Sequence, residues 1–312
     1  MSEKRDLLSI TDLSTAESRQ IIRRAREMKS NPGGSPLAGK SVALLFEKPS
    51  LRTRTSFDVG IHQLGGHPIY LGPQEVGLND REPASDVAKV LSGYVDCIIA
   101  RVFSHAHLLE LAKYATVPVI NALSDVEHPC QIMADMVTID EHKGSLEGLK
   151  LSFIGDGNNV ARSLCLGLPP LGVSFTIATP RKYKKYDLDE DSLTLSRQRV
   201  EQERSAPVDI VALEDPVEAV HMADIVYTDT WTSMGQEAEA ETRRQHFHGY
   251  TVNPGLMAKA NPGALFMHDM PVHYGEEVED GMLDHPQSVA YDQAHNRLHA
   301  QKAILEFLLA GS

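Results

Sequence analysis

The sequence has few cysteines and no long apolar run, and each absence excludes a class of protein. Its three cysteines, Cys97, Cys130 and Cys165, form no CxxC pair, which argues against a disulfide framework or a zinc knot and is typical of a reducing compartment. No apolar run approaches the ~20 residues of a membrane span. The N-terminal MSEKRDLLSI lacks the apolar core of a signal peptide. We therefore expect a cytoplasmic protein without a membrane partner.

Basic residues are also scarce. The 30 Lys and Arg residues face 43 Asp and Glu residues, for a net charge of −13. A non-specific nucleic-acid binder needs a basic footprint, so nucleic acid is not an expected partner. A local arginine cluster can nevertheless attract a small anion into one cleft. The length of 312 residues predicts about two domains at roughly 150 residues each.

Short β-rich runs alternate with segments of helical periodicity. Ser14–Met28, for example, opens with a capping box of Ser14 and Glu17 and places its apolar residues on one face. Such alternation predicts an α/β protein with doubly wound parallel sheets. The predicted strands are Val42–Phe46, Ile69–Leu71, Cys97–Val102, Val117–Ile120, Leu149–Ile154, Val173–Ala178, Val208–Val211, Asp224–Thr228 and Ala264–His268, and the other predicted helices are Leu51–Leu64, Pro83–Gly93, Ala106–Ala115, Pro129–His142 and Asp292–Leu309.

The turn-rich segment Gly144–Gly148 predicts a domain boundary, with a fresh strand after it. From this pattern alone, the last helix can pack on either half. The acidic run Asp187–Asp191 is interpreted as a solvated loop.

Two nucleotide-binding patterns occur in contexts that argue against nucleotides. Gly34–Ser41 reads GSPLAGKS, which fits a phosphate-binding loop, but a helix precedes it and a strand follows. Such a loop needs the reverse order, so we interpret it as a loop that leads, through Lys40, into an edge strand. Gly155 and Gly157 do follow a strand, but Val160 replaces the third glycine of a dinucleotide motif. These glycines more simply allow a tight turn at the ligand-binding edge of a sheet.

The run Ser50–Phe57 carries the most informative chemistry. It follows a predicted strand and begins a helix, so hydroxyls, two arginines and free backbone N–H groups converge on one point. Arginine can hold a phosphate through two parallel hydrogen bonds. The sequence therefore predicts an anion site at this helix start.

Further polar motifs follow other strands. Taken in order, the chain contains Ser-x-Arg-Thr-Arg at Ser50–Arg54, His-Pro-x-Gln at His128–Gln131, Asp-x-x-x-Ser-Met-Gly at Asp229–Gly235 and Asn-Arg-Leu-His at Asn296–His299. This set resembles the aspartate/ornithine carbamoyltransferase family along nearly the whole chain, and the Asp229–Gly235 motif is typical of its ornithine branch.

The resemblance implies an enzyme of arginine metabolism that transfers the carbamoyl group of carbamoyl phosphate to the δ-amine of L-ornithine, giving L-citrulline and phosphate. It implies a carbamoyl-phosphate domain at residues 1–142 joined by the C-terminal helix 292–312, and an ornithine domain at residues 143–291. It also implies a homotrimer, or a multiple of trimers, with active sites at subunit borders. No metal and no organic cofactor are expected.

The resemblance also assigns roles to residues. Arg101 bridges the phosphate and the carbonyl oxygen, His128 donates to that oxygen, and Asn159 and Asp229 grip the α-carboxylate and α-amino groups of ornithine. The expected catalytic residues are Arg101, His128 and Asp269. The expected carbamoyl-phosphate ligands are Ser50, Leu51 (through its backbone amide), Arg52, Thr53, Arg101, His128, Gln131 and Arg297, and the expected ornithine ligands are Asn159, Asp229, Ser233, Met234, Asp269 and Met270.

The chain departs from the family pattern in the second-domain loop. Relatives read His-Cys-Leu-Pro where this chain has His268-Asp269-Met270-Pro271. The Asp269 carboxylate either holds or deprotonates the reacting ammonium, or turns aside and leaves the loop backbone to contact substrate. In relatives, the loop that corresponds to residues 72–83 reaches the active site of the neighbouring subunit and can supply a polar side chain there. Because this chain has Gly77 in that loop, we expect Asn79 or Arg81 to make the contact.

Two alternative functions stay open at this point. One is carbamoyl transfer to another amine, such as an N-acylated ornithine or putrescine. The other is a catalytically silent paralogue that binds carbamoyl phosphate. Asp229 and Asn159 favour a free α-amino acid.

Overall fold

A computed structural model describes residues 4–31, 34–204 and 206–310. The chain divides into two compact units: one holds the described residues up to Glu141 and from His295 onward, and the other is His142–Ala294. Residues 1–3 and 311–312, the outermost parts of the predicted first domain, lie outside the described residues. Within the described ranges, none of the helices combines the length and apolar character that a membrane crossing requires.

The first unit is built on a four-stranded parallel sheet in the order β2-β1-β3-β4, counted over the described residues. Every residue of β1 after Ser41 is buried, as a strand covered on both faces requires. The strands are β1 (Ser41–Phe46), β2 (His67–Leu71), β3 (Cys97–Arg101) and β4 (Val119–Leu123), and the helices are α1 (Thr15–Ser30), α2 (Leu51–Gln63), α3 (Pro73–Val76), α4 (Ala84–Ser92), α5 (His105–Tyr114) and α6 (Pro129–Lys143).

The second unit contains a five-stranded parallel sheet in the order β7-β6-β5-β8-β9, again over the described residues. The strands are β5 (Lys150–Ile154), β6 (Ser174–Ala178), β7 (Ile210–Leu213), β8 (Ile225–Thr228) and β9 (Leu265–His268), and the helices are α7 (Asn159–Gly167), α8 (Glu190–Glu203), α9 (Pro216–Val220), α10 (Ala240–His246) and α11 (Pro254–Met257). The last helix, α12 (Ala290–Leu309), begins in this unit, and its residues from His295 onward belong to the first unit.

The prediction of two doubly wound parallel sheets is confirmed. The capping box of Ser14 and Glu17 forms at the start of α1, and Pro129 is the first residue of α6. The strand predicted after Gly34–Ser41 is present, and Ser41 is the first residue of β1.

Two local predictions are wrong. Lys40 precedes β1, but β1 lies between β2 and β3 and is not an edge strand. The acidic run is not simply a solvated loop: Leu188 is buried, and the Asp189 carboxylate accepts the Ser192 N–H, which caps α8 at Glu190. Carboxylates at a helix start are favoured by the exposed N–H groups there, so the acidic character of this segment reflects a helix beginning.

Each sheet has one point at which successive strands switch from adding on one side to adding on the other. Chain direction across the first sheet reverses between β1 and β3, and across the second between β5 and β8. Ligands in such sheets bind beyond the carboxyl ends of the strands that flank this reversal. In the first sheet, Ser50 lies in the loop after β1, and Arg101 is the last residue of β3. In the second sheet, Asn159 lies after β5, and Asp229 directly follows β8.

Candidate functional site

The start of α2 carries the residues of the predicted anion site. Ser50 is the N-cap, and its hydroxyl accepts the backbone N–H of Thr53 at 3.2 Å. Leu51, the first helical residue, leaves 77% of its surface exposed, so its side chain packs on little else in this chain. The free N–H groups and the dipole of a helix start attract an anion, and Arg52 adds a cation in the same turn.

Thr53 is the point where the charged groups of the first unit meet. Its buried hydroxyl accepts a hydrogen bond from Arg297 Nη2 at 2.8 Å and a longer one from Arg101 Nη1 at 3.4 Å. Both guanidinium groups are more than nine-tenths buried. Residues separated by more than 240 positions in the chain are thereby brought to one hydroxyl, and two buried positive charges lie beside a helix N-terminus.

His128 and Gln131 lie buried beside this cluster at the start of α6. Gln131 donates from Nε2 to Asp135 Oδ1 at 2.9 Å. Among the described residues, no group donates to Gln131 Oε1. Burial, reinforced by the positive charges of Arg297 and Arg101, holds the pKa of His128 well below its ordinary value. The ring is therefore neutral at physiological pH.

The second unit presents Asp229 beyond the end of β8. The Asn158 amide donates to its Oδ2 at 2.6 Å, and the Thr230 N–H donates to its Oδ1 at 2.6 Å. Asn158 also caps α7, so the predicted ligand Asn159 becomes the first residue of that helix. These bonds hold a buried carboxylate at the sheet edge, where it can receive a cation. Ser233 and Met234 lie further along the loop that begins at Asp229, and Met234 is exposed.

Asp269 lies in the loop after β9 and leaves only 13% of its side chain exposed. Its Oδ1 is 3.6 Å from His268 Nδ1, and the ligand atoms of Asp229, His268 and Asp269 all lie within 4.8 Å of one another. The Met270 N–H donates to His268 Nδ1 at 2.8 Å, which holds Met270 at φ 59°. The second unit thus places two carboxylates side by side at the ornithine half of the predicted site.

This group has the composition of a metal site, but the imidazole nitrogen that faces Asp269 already accepts the Met270 N–H. Binding a metal there would break the hydrogen bond that orders the loop. A second group of possible ligands, His273, Glu276 and Glu277, includes a carboxylate that pairs with Arg244. Neither arrangement is a ready metal centre.

Comparison with known proteins decides the family. Residues 5–141 match the carbamoyl-phosphate-binding domain of aspartate/ornithine carbamoyltransferases, and residues 147–308 match their aspartate/ornithine-binding domain. The chain belongs to the aspartate/ornithine carbamoyltransferase family. The motif-based assignment is therefore confirmed.

Individual members of this family are similar over their full length. The ornithine carbamoyltransferase of Thermococcus kodakarensis is 48% identical over 311 residues, which covers 98% of this chain and 97% of that protein. The solved ornithine carbamoyltransferase of Pyrococcus furiosus superposes with a TM-score of 0.93 at 47% identity, covering 99% of this chain and 98% of the other. A solved acetylornithine transcarbamylase, in complex with acetylcitrulline, superposes with a TM-score of 0.85 at 33% identity, covering 97% and 99%.

Sequence reasoning missed a third cation near the predicted anion site. Lys48 lies in the loop between β1 and α2 and is buried, with its Nζ 4.5 Å from the centroid of the Phe103 ring. Burial and the nearby Arg101 charge lower its pKa. The lysine stands inside the conspicuous Phe46–Phe57 run, but only the structure shows that it is buried beside Arg101.

The neutrality of His128 is directly measurable. Because burial and two arginines disfavour the imidazolium, we expect the ring of the ligand-free protein to be still neutral at the ordinary histidine midpoint of about pH 6.5. Long-range ¹H–¹⁵N spectra of the ring, assigned with His128→Gln, report the protonation state. A titration midpoint near 6.5 for this residue would contradict the buried, cation-flanked environment.

Proposed function

We propose that the protein transfers the carbamoyl group of carbamoyl phosphate to the δ-amine of L-ornithine, releasing L-citrulline and phosphate. The observation that carries this proposal is the convergence of Arg101 and Arg297 on the Thr53 hydroxyl at the start of α2. Two buried guanidinium groups beside a helix N-terminus make this region positive, and a phosphate that carries a carbonyl group suits that arrangement.

The reaction requires hydrogen-bond donors from the protein and no nucleophilic side chain, because the amine of the substrate is the nucleophile. The neutral δ-amine attacks the carbonyl carbon, the new C–N bond forms, and the carbonyl oxygen gains negative charge. The C–O bond to phosphate then breaks, phosphate leaves with that electron pair, and the amine releases a proton. We assign Arg101 and His128 to the developing oxyanion, with Gln131 and Arg297 holding the carbamoyl end. Preorganised donors of this kind contribute on the order of 10²–10³ each to the rate.

The remaining site residues receive their predicted roles as part of the same proposal. Ser50, Arg52 and the Leu51 amide hold phosphate with Thr53. Asn159 and Asp229 bind the α-carboxylate and α-ammonium groups, and the loop residues Ser233, Met234 and Met270 complete the ornithine side. The arrangement around Asp229, which is buried and already oriented by two donors, supports a cationic partner for its carboxylate.

We assign Asp269 to the reacting end of ornithine. Its carboxylate lies beside Asp229 and is not turned toward solvent, which favours the first of the two sequence-based interpretations of this residue. There it can accept a hydrogen bond from the δ-amine and take the proton that the amine releases. The like-charge cost of two neighbouring carboxylates falls when the α-ammonium group of ornithine binds beside them.

An N-acylated ornithine is the second candidate acceptor, because an acetylornithine transcarbamylase is among the similar solved structures. Acylation removes the α-ammonium charge, however, and leaves the buried Asp229 carboxylate without a cation. This favours free ornithine.

We propose further that the enzyme is a homotrimer, or a multiple of trimers, in the cytoplasm. Exposed apolar side chains on the first unit, among them Val90, Tyr94 and Phe103, support a surface that is covered by another copy. The three buried cysteines, Cys97, Cys130 and Cys165, carry free thiols, which is in keeping with a reducing compartment.

The dependence of turnover on pH tests the proposed attack by a neutral amine. An aliphatic amine with a pKa near ~10 is neutral in only about one molecule in a thousand at pH 7. We therefore expect kcat/KM for ornithine, measured at low ornithine, to rise steadily from pH 6 to pH 9. Asp269→Asn provides the comparison, because it keeps the size of the side chain and removes the proton acceptor. A flat profile in the parent enzyme would contradict rate-limiting attack by the free amine.

A further inference from the structure

One buried arginine joins the two loops that carry the ornithine side of the site. Arg243 lies in α10 and is 5% exposed. Its Nη1 donates to Asp156 Oδ2 at 2.7 Å and to the carbonyl oxygen of Trp231 at 2.7 Å. Asp156 belongs to the loop after β5, and Trp231 belongs to the loop after β8. A single nitrogen atom therefore bridges the two loops that flank the chain reversal in the second sheet.

The same two loops are joined a second time, at the predicted substrate ligands. Asn158, two residues after Asp156, donates to Asp229, which lies two residues before Trp231. The hydrogen bonds of Arg243 and Asn158, with the short backbone segments between them, thus form a closed ring. A ring of this kind fixes the separation of the loops, because moving one loop breaks two contacts at once.

The surroundings allow this ring little freedom. A Cβ atom on Gly157, between the two linked residues, would lie 2.4 Å from the Leu188 backbone nitrogen, so the first loop is packed against another segment. The Arg243 guanidinium carbon lies 5.1 Å from the centroid of the Tyr186 ring. Burial raises the pKa of Asp156 to about 6, whereas Arg243 opposes the rise, so the arginine keeps charge on a carboxylate that burial would otherwise neutralise.

We propose that Arg243 is a positioning residue for the amino-acid substrate: by joining Asp156 to the Trp231 carbonyl, it sets the distance between the loops that bear Asn159 and Asp229. The proposal rests on the proposed function, since it takes ornithine as the ligand of those loops. Arg243 contacts neither substrate. It acts on ornithine through the loops and leaves carbamoyl phosphate, which belongs to the first unit, unaffected.

Three variants test the proposal. Arg243→Gln removes the positive charge and shortens the side chain that reaches both Asp156 and the Trp231 carbonyl oxygen. Arg243→Lys keeps the positive charge but replaces the planar guanidinium group with a single ammonium group. Arg244→Gln is the matched control, because Arg244 is the next residue of α10 but pairs at the surface with Glu241 and Glu276.

We expect Arg243→Gln to raise KM for ornithine by about tenfold or more, as small misplacements of a binding group do, and to leave KM for carbamoyl phosphate within about twofold. Arg243→Lys should restore part of the loss, and Arg244→Gln should behave like the parent. Equal changes in both KM values, or a lowered melting temperature with unchanged KM for ornithine, would overturn the proposal. If Arg243→Gln does not fold, an unchanged KM for ornithine in Arg243→Lys overturns it equally.

The single tryptophan of the chain supplies a readout that needs no turnover. Trp231 is buried and stacks on Phe247, with ring centroids 5.3 Å apart. Loosening its loop exposes the indole, so we expect a red-shifted emission in ligand-free Arg243→Gln and none in Arg244→Gln. An unshifted spectrum in Arg243→Gln would contradict loop coupling. If the parent enzyme fails to carbamoylate ornithine, the proposed function is wrong, whereas the fluorescence comparison still decides whether Arg243 joins the loops.

Discussion

Replacement of Arg101 by glutamine is expected to lower kcat/KM for carbamoyl phosphate by about 10²–10³. Arg101 ends β3, is buried, and directs Nη1 to the Thr53 hydroxyl at the helix start. In the proposed reaction it serves both the departing phosphate and the carbonyl oxygen, so its loss affects groups whose charge grows in the transition state. Glutamine keeps a donor of shorter reach but supplies no charge. Steady-state kinetics at saturating ornithine measure the effect.

Arg54→Gln is the control for this variant. Arg54 lies in the first turns of α2, but its guanidinium carbon stacks 3.6 Å from the centroid of the Tyr70 ring, where it braces the helix. We expect kcat/KM for carbamoyl phosphate to change by less than about threefold in this variant. Equal losses in the two variants would indicate that general positive charge, and not the position of Arg101, drives binding.

Replacement of Asp229 by asparagine is expected to lower kcat/KM for ornithine by about 100-fold, within the range for removing one partner of a buried charge pair. The side chain is buried and oriented by Asn158 and Thr230, so asparagine can occupy the same space. It removes the negative charge that the substrate's ammonium group needs. KM for carbamoyl phosphate should be unchanged, because that substrate is assigned to the other unit.

Asp215→Asn is the matched change elsewhere in the same unit. Asp215 follows β7 and caps α9 by accepting the Val217 N–H at 2.8 Å, a role that asparagine fills equally well. The two variants therefore differ in location and not in chemistry. Ornithine kinetics that respond equally to both would show that the effect of Asp229→Asn comes from net charge.

Fold class was predictable because it depends on a repeated pattern. Alternating apolar strands and amphipathic helices leave few arrangements other than parallel sheets covered by helices. Individual placements were less predictable. Lys40 precedes an interior strand because β1 is apolar on both faces, and the acidic segment near Asp189 begins a helix. Lys40 was misplaced because the pairing of β1 with two other strands depends on distant segments, whereas the acidic segment was misplaced because a local cap between Asp189 and Ser192 was overlooked.

For the candidate site, the sequence predicted which loops carry the residues. Polar residues that end or follow the strands of a parallel sheet lie at the carboxyl edge of that sheet, so Arg101 and Asp229 could each be placed at the edge of its own sheet. The partners of each side chain could not be placed in this way. That Arg297 and Arg101 share the Thr53 hydroxyl, and that Arg243 joins two loops, depends on side-chain geometry. No motif in the chain marks Arg243.

The most direct test of the proposed function is the stoichiometry of the reaction with a panel of acceptors. The purified protein is incubated with carbamoyl phosphate and L-ornithine, N-acetylornithine, putrescine or aspartate in parallel, and carbamoylated product and phosphate are measured together. We expect equimolar citrulline and phosphate with L-ornithine and little product with the other amines. Product from N-acetylornithine or putrescine in place of L-ornithine, or binding of carbamoyl phosphate without its consumption, would contradict the proposed function.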